Sequence, residues 1–244
     1  MNTYDKQEVA IQIKNLSATT KLGRLLYANV NMNIHVGEIV ALVGLSGSGK
    51  SVFAKTMAGI IPNLVEFPVT GEVYLYGNKL DAIEALEKIQ TIGYIFQNPD
   101  DQIFSSIVEE ELAFGPENLC LSREEIEERI VYALEAVHMI DYRFHNTNEL
   151  SGGQKQLIAI ASILTMHPKI LICDEILSQL DELSCERIVK LLQKLREDGM
   201  TIFMIEHDLE KIKFVDTMYH MKNQSIEVFT GEWIDDERGT NSDI

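Results

Sequence analysis

The sequence predicts an α/β protein with a buried parallel sheet and a helical insert, on three observations. Short apolar runs of strand length recur at both ends of the chain, among them Ile39 to Val43 (IVALV), Ile170 to Cys173 (ILIC) and Thr201 to Ile205 (TIFMI). Between the last two, Ile188, Leu191, Leu192 and Leu195 fall at i, i+3, i+4 and i+7, the spacing of one helix face. Strand, helix, strand with strands apolar throughout is the pattern of parallel pairing under covering helices. Finally, helix signals dominate from Asp100 to Glu149, so the middle of the chain departs from the alternation.

The elements follow in order. Val9 to Ile13 (VAIQI) alternates as a half-buried strand, and IVALV reads as a fully buried one. An apolar helical stretch through Ala54, Met57 and Ala58 comes next, then a strand at Val73 to Tyr76 behind a turn at Gly71. In the insert, placed at about residues 98 to 150, Ser122 and Glu125 form a capping box. Ile126, Ile130, Leu134 and Val137 then share one face, while Glu124, Glu127 and Glu128 turn to water. Ser151 is placed to cap the apolar helix LIAIASILTM. This organises the chain as one domain over residues 1–232 and a polar, acidic, aperiodic tail over 233–244, expected to be disordered at its end.

Composition narrows the class. Of 244 residues, 45% are hydrophobic and 24% charged, values of a folded globular chain and not of a disordered one. Acidic residues outnumber basic ones 38 to 21, and the net charge of −17 repels phosphate backbones, which argues against nucleic acid as a partner. Cys120, Cys173 and Cys185 are far apart and form no zinc spacing, so inert thiols in a reducing compartment are expected. The start MNTYDKQEVA lacks the pattern of a signal peptide, and the longest uncharged apolar run, Leu157 to Met166, falls short of the roughly 20 residues a membrane span needs. A chain neither secreted nor membrane-spanning is expected. Its acidity still suits docking on basic cytoplasmic loops of a membrane protein.

Chemistry concentrates in two places. Gly44 to Ser51 reads GLSGSGKS, matching G-x-x-x-x-G-K-[ST] between a buried strand and a helix. Gly44, Gly47 and Gly49 let the backbone N–H groups wrap phosphate oxygens, with Ser46, Ser48 and Val52 completing the loop and helix start. Lys50 reaches the β- and γ-phosphates and the Ser51 hydroxyl can ligate Mg²⁺. Further on, Leu150 to Gln154 (LSGGQ) forms a second anion-binding helix start. About 20 residues later ILICDE places Asp174 and Glu175 at the carboxyl end of a strand, where open α/β sheets bind ligands. Asp174 is suited to holding Mg²⁺ and Glu175 to polarising an attacking water.

Taken in order, GLSGSGKS, Gln97 in YIFQNPDDQ, LSGGQ, ILICDE, Ser178 with Asp181, and His207 in IEHD resemble an ATP-binding-cassette ATPase over nearly the whole chain. The resemblance implies a P-loop NTPase with a RecA-like core, an antiparallel β subdomain and an inserted α-helical subdomain. It implies ATP and Mg²⁺ as cofactors and catalysis through Glu175, His207, Gln97 and Lys50, with Mg²⁺ near Ser51, Gln97 and Asp174. It also implies pairing with a second such subunit, whose nucleotide Ser151, Gly152, Gly153 and Gln154 would contact. The segment FQNPDDQIFSSIVEEELAFGPENL is similar, more narrowly, to the energy-coupling-factor branch of vitamin and cobalt or nickel importers. On that likeness the chain sits at the cytoplasmic face of a membrane, and Asp100 and Asp101 near Gln97 receive an arginine of an integral membrane subunit.

Some positions depart from the family pattern. After Glu175 the chain reads ILSQLD where Pro-Thr and Ser-Gly-Leu-Asp are usual, so Ile176, Leu177 and Gln179 differ. No aromatic stands near Ser17 to Thr20 to stack on adenine, and Tyr27 reads as a residue packed beside the first sheet. The chain ends soon after its last strand, which predicts weak pairing on its own. Two other readings are a soluble ATP-binding-cassette protein outside transport and a regulatory module that scarcely hydrolyses ATP.

Overall fold

The computed structural model describes residues 8–62, 65–178 and 180–231. In chain order these form strands β1 (Val9–Thr19), β2 (Leu25–His35) and β3 (Ile39–Gly44), helix α1 (Lys50–Met57), strands β4 (Val69–Leu75) and β5 (Asn78–Lys79), helix α2 (Ala85–Thr91) and strand β6 (Ile92–Ile95). Helices α3 (Val108–Asn118), α4 (Arg123–Ala136) and α5 (Gly152–Leu164) follow. The chain then runs through β7 (Ile170–Asp174), α6 (Glu182–Glu197), β8 (Thr201–Ile205), β9 (Thr217–Lys222) and β10 (Ser225–Val228). The acidic tail lies outside the described residues.

Two sheets result. An antiparallel one has the order β2-β1-β4-β5, and a six-stranded one the order β10-β9-β3-β8-β7-β6. The larger sheet is parallel from β9 to β6, with β10 antiparallel at its edge. Period-two alternation between two cores explains why its central strands are buried at every position. Ile39, Ala41 and Val43 face a core shared with α3 to α6, while Val40 and Leu42 face a second core shared with α1 and the antiparallel sheet. Leu171 and Cys173 on β7, and Ile202 and Met204 on β8, point to the first core; Ile170, Ile172, Phe203 and Ile205 point to the second.

Gly71 is not a turn ahead of a strand: it lies inside β4, opposite the place where β1 shifts register between Lys14 and Ser17. The α4 cap is only half a box. Ser122 Oγ accepts from Glu125 N–H at 3.2 Å, but the Glu125 carboxylate turns to Arg129 one helical turn on, at 2.7 Å. An ion pair at i, i+4 outcompetes the reciprocal bond to the cap. Tyr27 is fully buried, edge-on to Phe53 at 5.3 Å, and burial pushes its phenol up to about 12. It packs between layers and offers no exposed face to a base.

Candidate nucleotide-binding and hydrolytic site

Strand order places the site. β3, β8, β7 and β6 lie side by side and parallel, so the loops leaving their carboxyl ends open on one edge of the sheet. Gly44 to Ser51 follow β3, His207 follows β8, Asp174 and Glu175 end and follow β7, and Gln97 follows β6.

In the first of these loops Gly47 and Gly49 stand at φ of 73° and 110°, backbone that L side chains rarely adopt. Gly49 is the residue before α1, and the helix start carries no side-chain cap, so its N–H groups remain for a ligand. Ser46 is exposed, and Ser48 Oγ is buried without a hydrogen-bond partner. An orphaned hydroxyl inside such a loop fits a phosphate oxygen acceptor. Lys50 is only 3% exposed, and its Nζ donates to Gly44 O and Leu45 O, each at 2.9 Å. One of its three N–H groups is left for a phosphate. Burial lowers the Lys50 pKa, while the charges of Glu175 and Asp174 act to raise it.

Of the three residues expected at a metal, Ser51 and Asp174 meet, while Gln97 bonds to Glu175 instead. Ser51 Oγ donates to Asp174 Oδ1 at 3.0 Å, and Tyr94 Oη donates to Asp174 Oδ2 at 2.7 Å. Asp174 is nearly buried, so both oxygens are aimed. Burial, and after it the aspartate beside it, raise the Tyr94 pKa, which keeps the phenol a donor. Among the described residues no three His, Cys, Asp or Glu side chains cluster as a metal cage. A hydroxyl and one carboxylate instead suit Mg²⁺, which keeps waters and takes phosphate oxygens.

Glu175 has side chains on two sides. Gln97 Nε2 donates to Oε2 at 2.8 Å, and His207 Nδ1 lies 3.4 Å from Oε1. The three side chains come from three different loops, at positions 97, 175 and 207. The structure adds Gln102, which sequence reading passed over. Its Oε1 accepts from Phe96 N–H at 3.2 Å and its Nε2 donates to Ala159 O at 2.7 Å, tying the Gln97 loop to α5. Tyr94 was also unmarked, although its place at the end of a strand next to the Gln97 loop is a signal of the same kind as ILICDE.

The LSGGQ segment forms the start of α5. Ser151 Oγ accepts from Gln154 N–H at 3.3 Å, and Gln154 Oε1 accepts from Ser151 N–H at 2.9 Å, a complete capping box. Gln154 is therefore engaged within its own helix, and Gly153 is buried against Ser184, leaving Ser151 and Gly152 exposed. Asp100 is exposed but paired, its Oδ1 lying 2.5 Å from Lys155 Nζ on α5, while Asp101 is exposed.

Comparison with known proteins agrees with this geometry. The ABC transporter family model matches residues 27–178. A putative ABC transporter ATP-binding protein of Methanosarcina acetivorans is 46% identical over 199 residues, 81% of this chain and 31% of that one. The energy-coupling factor transporter ATP-binding protein EcfA of Methanocaldococcus jannaschii is 38% identical over 219 residues, 88% of this chain and 77% of that one. The chain thus spans about a third of the two methanosarcinal relatives it matches at 46% and 42% identity. Among solved structures, cbiO1 of Clostridium perfringens, part of the transporter complex cbiONQ, superposes with a TM-score of 0.82 at 30% identity, covering 91% of this chain and 88% of that one. The cassette MJ0796, in a dimeric post-hydrolysis state bound to ADP and Pi, superposes at 0.75 with 31% identity, covering 91% of this chain and all of that one. With the fold and motif set of ATP-hydrolysing cassettes and relatives of energy-coupling-factor type, the chain belongs to the ABC transporter family.

Proposed function

We propose that this chain hydrolyses ATP with Mg²⁺ and thereby energises a membrane importer of energy-coupling-factor type, peripheral at the cytoplasmic face. The observation that carries the reading is Glu175, a carboxylate that accepts from Gln97 Nε2 on one oxygen and has His207 Nδ1 3.4 Å from the other, while Ser51 bonds to Asp174, the residue before it. Glu175 orients the attacking water and takes its proton, Gln97 and His207 hold that carboxylate in line, and Lys50 with the loop N–H groups binds the phosphates. Ser51 and Asp174, with Gln97, would hold Mg²⁺, which would supply neutralising charge for the phosphate oxygens. Ser151 and Gly152, exposed at the start of α5, serve the nucleotide of a second cassette.

Relatives named EcfA and the likeness to cbiO1 support the importer branch. Among the described residues no helix is long and apolar enough to cross a membrane. We place the contact with a membrane subunit next to Gln97, at Asp100 and Asp101. Phe104 and Phe114 support this placement, being stacked edge to face at 4.5 Å while 63% and 51% exposed.

Glu175→Gln tests the catalytic part. It is expected to abolish turnover while ATP affinity stays normal, because phosphate binding is supplied elsewhere. Lys50→Ala is expected to weaken ATP binding itself, since it removes a charge from the phosphate site. Hydrolysis and nucleotide binding measured on both variants check the pair, and near-normal hydrolysis by Glu175→Gln would sink the assignment.

A further inference from the structure

β7 and β8 run in parallel, and their last paired residues are Asp174 and Ile205. Past that point Glu175 N–H still donates to Ile205 O at 3.0 Å. A side chain then continues the ladder: Glu206 Oε1 accepts from Leu177 N–H at 2.8 Å. Leu177 C=O is held as well, accepting from Lys211 Nζ at 2.7 Å. Both polar backbone groups of Leu177, in the segment after Glu175, are therefore pinned by residues flanking His207.

Two features set this contact apart from ordinary packing. Glu206 is 0% exposed and its Oε2 is buried without a partner, an arrangement less stable than an apolar residue in the same space. Glu175 in turn stands at φ 53°, left-handed backbone that a residue with a Cβ rarely adopts and that persists only where its surroundings over-determine it. The bond from Glu175 N–H to Ile205 on one side and the clamp on Leu177 on the other bracket that turn.

We propose that Glu206 is a positioning residue for hydrolysis: by holding Leu177 N–H, with Lys211 on Leu177 C=O, it keeps Glu175 in the left-handed turn that aims its carboxylate between Gln97 and His207. The inference rests on the reading of Glu175 as the group that activates water. Because Glu206 immediately precedes His207, the same clamp sets the spacing between Glu175 and His207.

The test uses the purified full chain with Mg²⁺ and ATP, measuring kcat, KM, nucleotide affinity and melting temperature. Glu206→Met has similar length and no acceptor for Leu177 N–H. It is expected to lower kcat about 10- to 100-fold with little change in KM or ATP affinity, as a misplaced catalytic group does. Its melting temperature is expected to change little, because loss of the buried carboxylate offsets the unpaired Leu177 N–H. Glu206→Gln keeps an acceptor oxygen and is expected to recover most of kcat. A purely structural role predicts instead that kcat follows melting temperature across both variants, and that result, or a normal kcat in Glu206→Met, overturns the inference. If Glu206→Met fails to fold, Lys211→Met releases the other side of Leu177, with a fall in kcat supporting the clamp and an unchanged kcat rejecting it. Glu175→Gln is measured in parallel. Hydrolysis persisting there removes the reading of Glu175 and this inference with it, whereas an inactive Glu175→Gln beside a fully active Glu206→Met rejects the clamp alone.

Discussion

Asp174 and Glu175 are neighbours in sequence with opposite surroundings. Asp174 ends a strand, nearly buried, with Ser51 and Tyr94 on its two oxygens, while Glu175 turns left-handed and opens toward Gln97 and His207. One change of backbone angle sends two adjacent carboxylates to different partners. Glu206 is a third acid of another kind. Burial pushes its pKa up to about 7; Leu177 N–H and the Lys211 charge pull it down, and Glu175 and Asp208 push it up further. Cys173 and Cys185 also lie near it, both with thiols raised chiefly by burial and so neutral. The folded chain therefore holds more protons than the unfolded one between about pH 4.5 and 7, so this group's contribution to stability falls as pH rises through that window and levels off above it. The expected loss is about 3 kcal/mol. Chemical denaturation at several pH values, wild type against Glu206→Gln, isolates it: the glutamine variant should lack this slope, and equal pH dependence in the two would assign it to other groups. The acid pair after ILIC was legible from its place behind a buried strand. Glu206 was not, because a glutamate at a strand end reads as solvated until its neighbours are known.

At the scale of elements, the capping boxes show how far local pattern reaches. Ser151 with Gln154 closes fully at α5, and Ser122 with Glu125 closes by half because Arg129 competes for the carboxylate. The open face of the α5 start carries a prediction. A Ser151→Arg chain is expected to be inactive alone, and mixing it with Lys50→Ala chains should restore part of the ATPase rate through the one composite site that remains intact. An inactive mixture despite demonstrated mixed pairs would reject this geometry or show that both sites must be intact. Several strands escaped the sequence reading. β2 carried a usable signal, since Val30, Met32 and Ile34 are buried in alternation with Asn29, Asn31 and Asn33. β6 carried almost none: four residues, IGYI, include Gly93, where a Cβ would lie 2.2 Å from Ile163 Cγ2 of α5. The glycine that lowers its strand propensity is there for helix packing.

For the whole molecule, charge and surface aromatics point the same way. The chain carries −17, and downstream of Gln97 the side chains of Asp100, Asp101, Phe104 and Phe114 are exposed. Asp100→Arg with Asp101→Arg is expected to release the chain from the proposed membrane subunit while ATP binding persists. Losing the exposed Lys155 pair with Asp100 costs the fold little, roughly 0.2 to 1 kcal/mol. Pull-down of the membrane subunit and nucleotide binding on the same variant check this, and retention at normal strength would move the contact elsewhere. The sequence by itself determined the order of the motifs along the chain, the phosphate-loop pattern, the helix starts and the two-sided burial of the central strands. Those features rest on backbone N–H groups, caps and period-two alternation, all written within a few consecutive residues. Only the tertiary structure decided that Tyr94 holds Asp174, that Gln102 ties the Gln97 loop to α5, and that Glu206 and Lys211 clamp Leu177. Each of those contacts depends on β3, β8, β7 and β6 lying side by side or on α5 packing below them, and such long-range adjacency has no local periodicity to announce it.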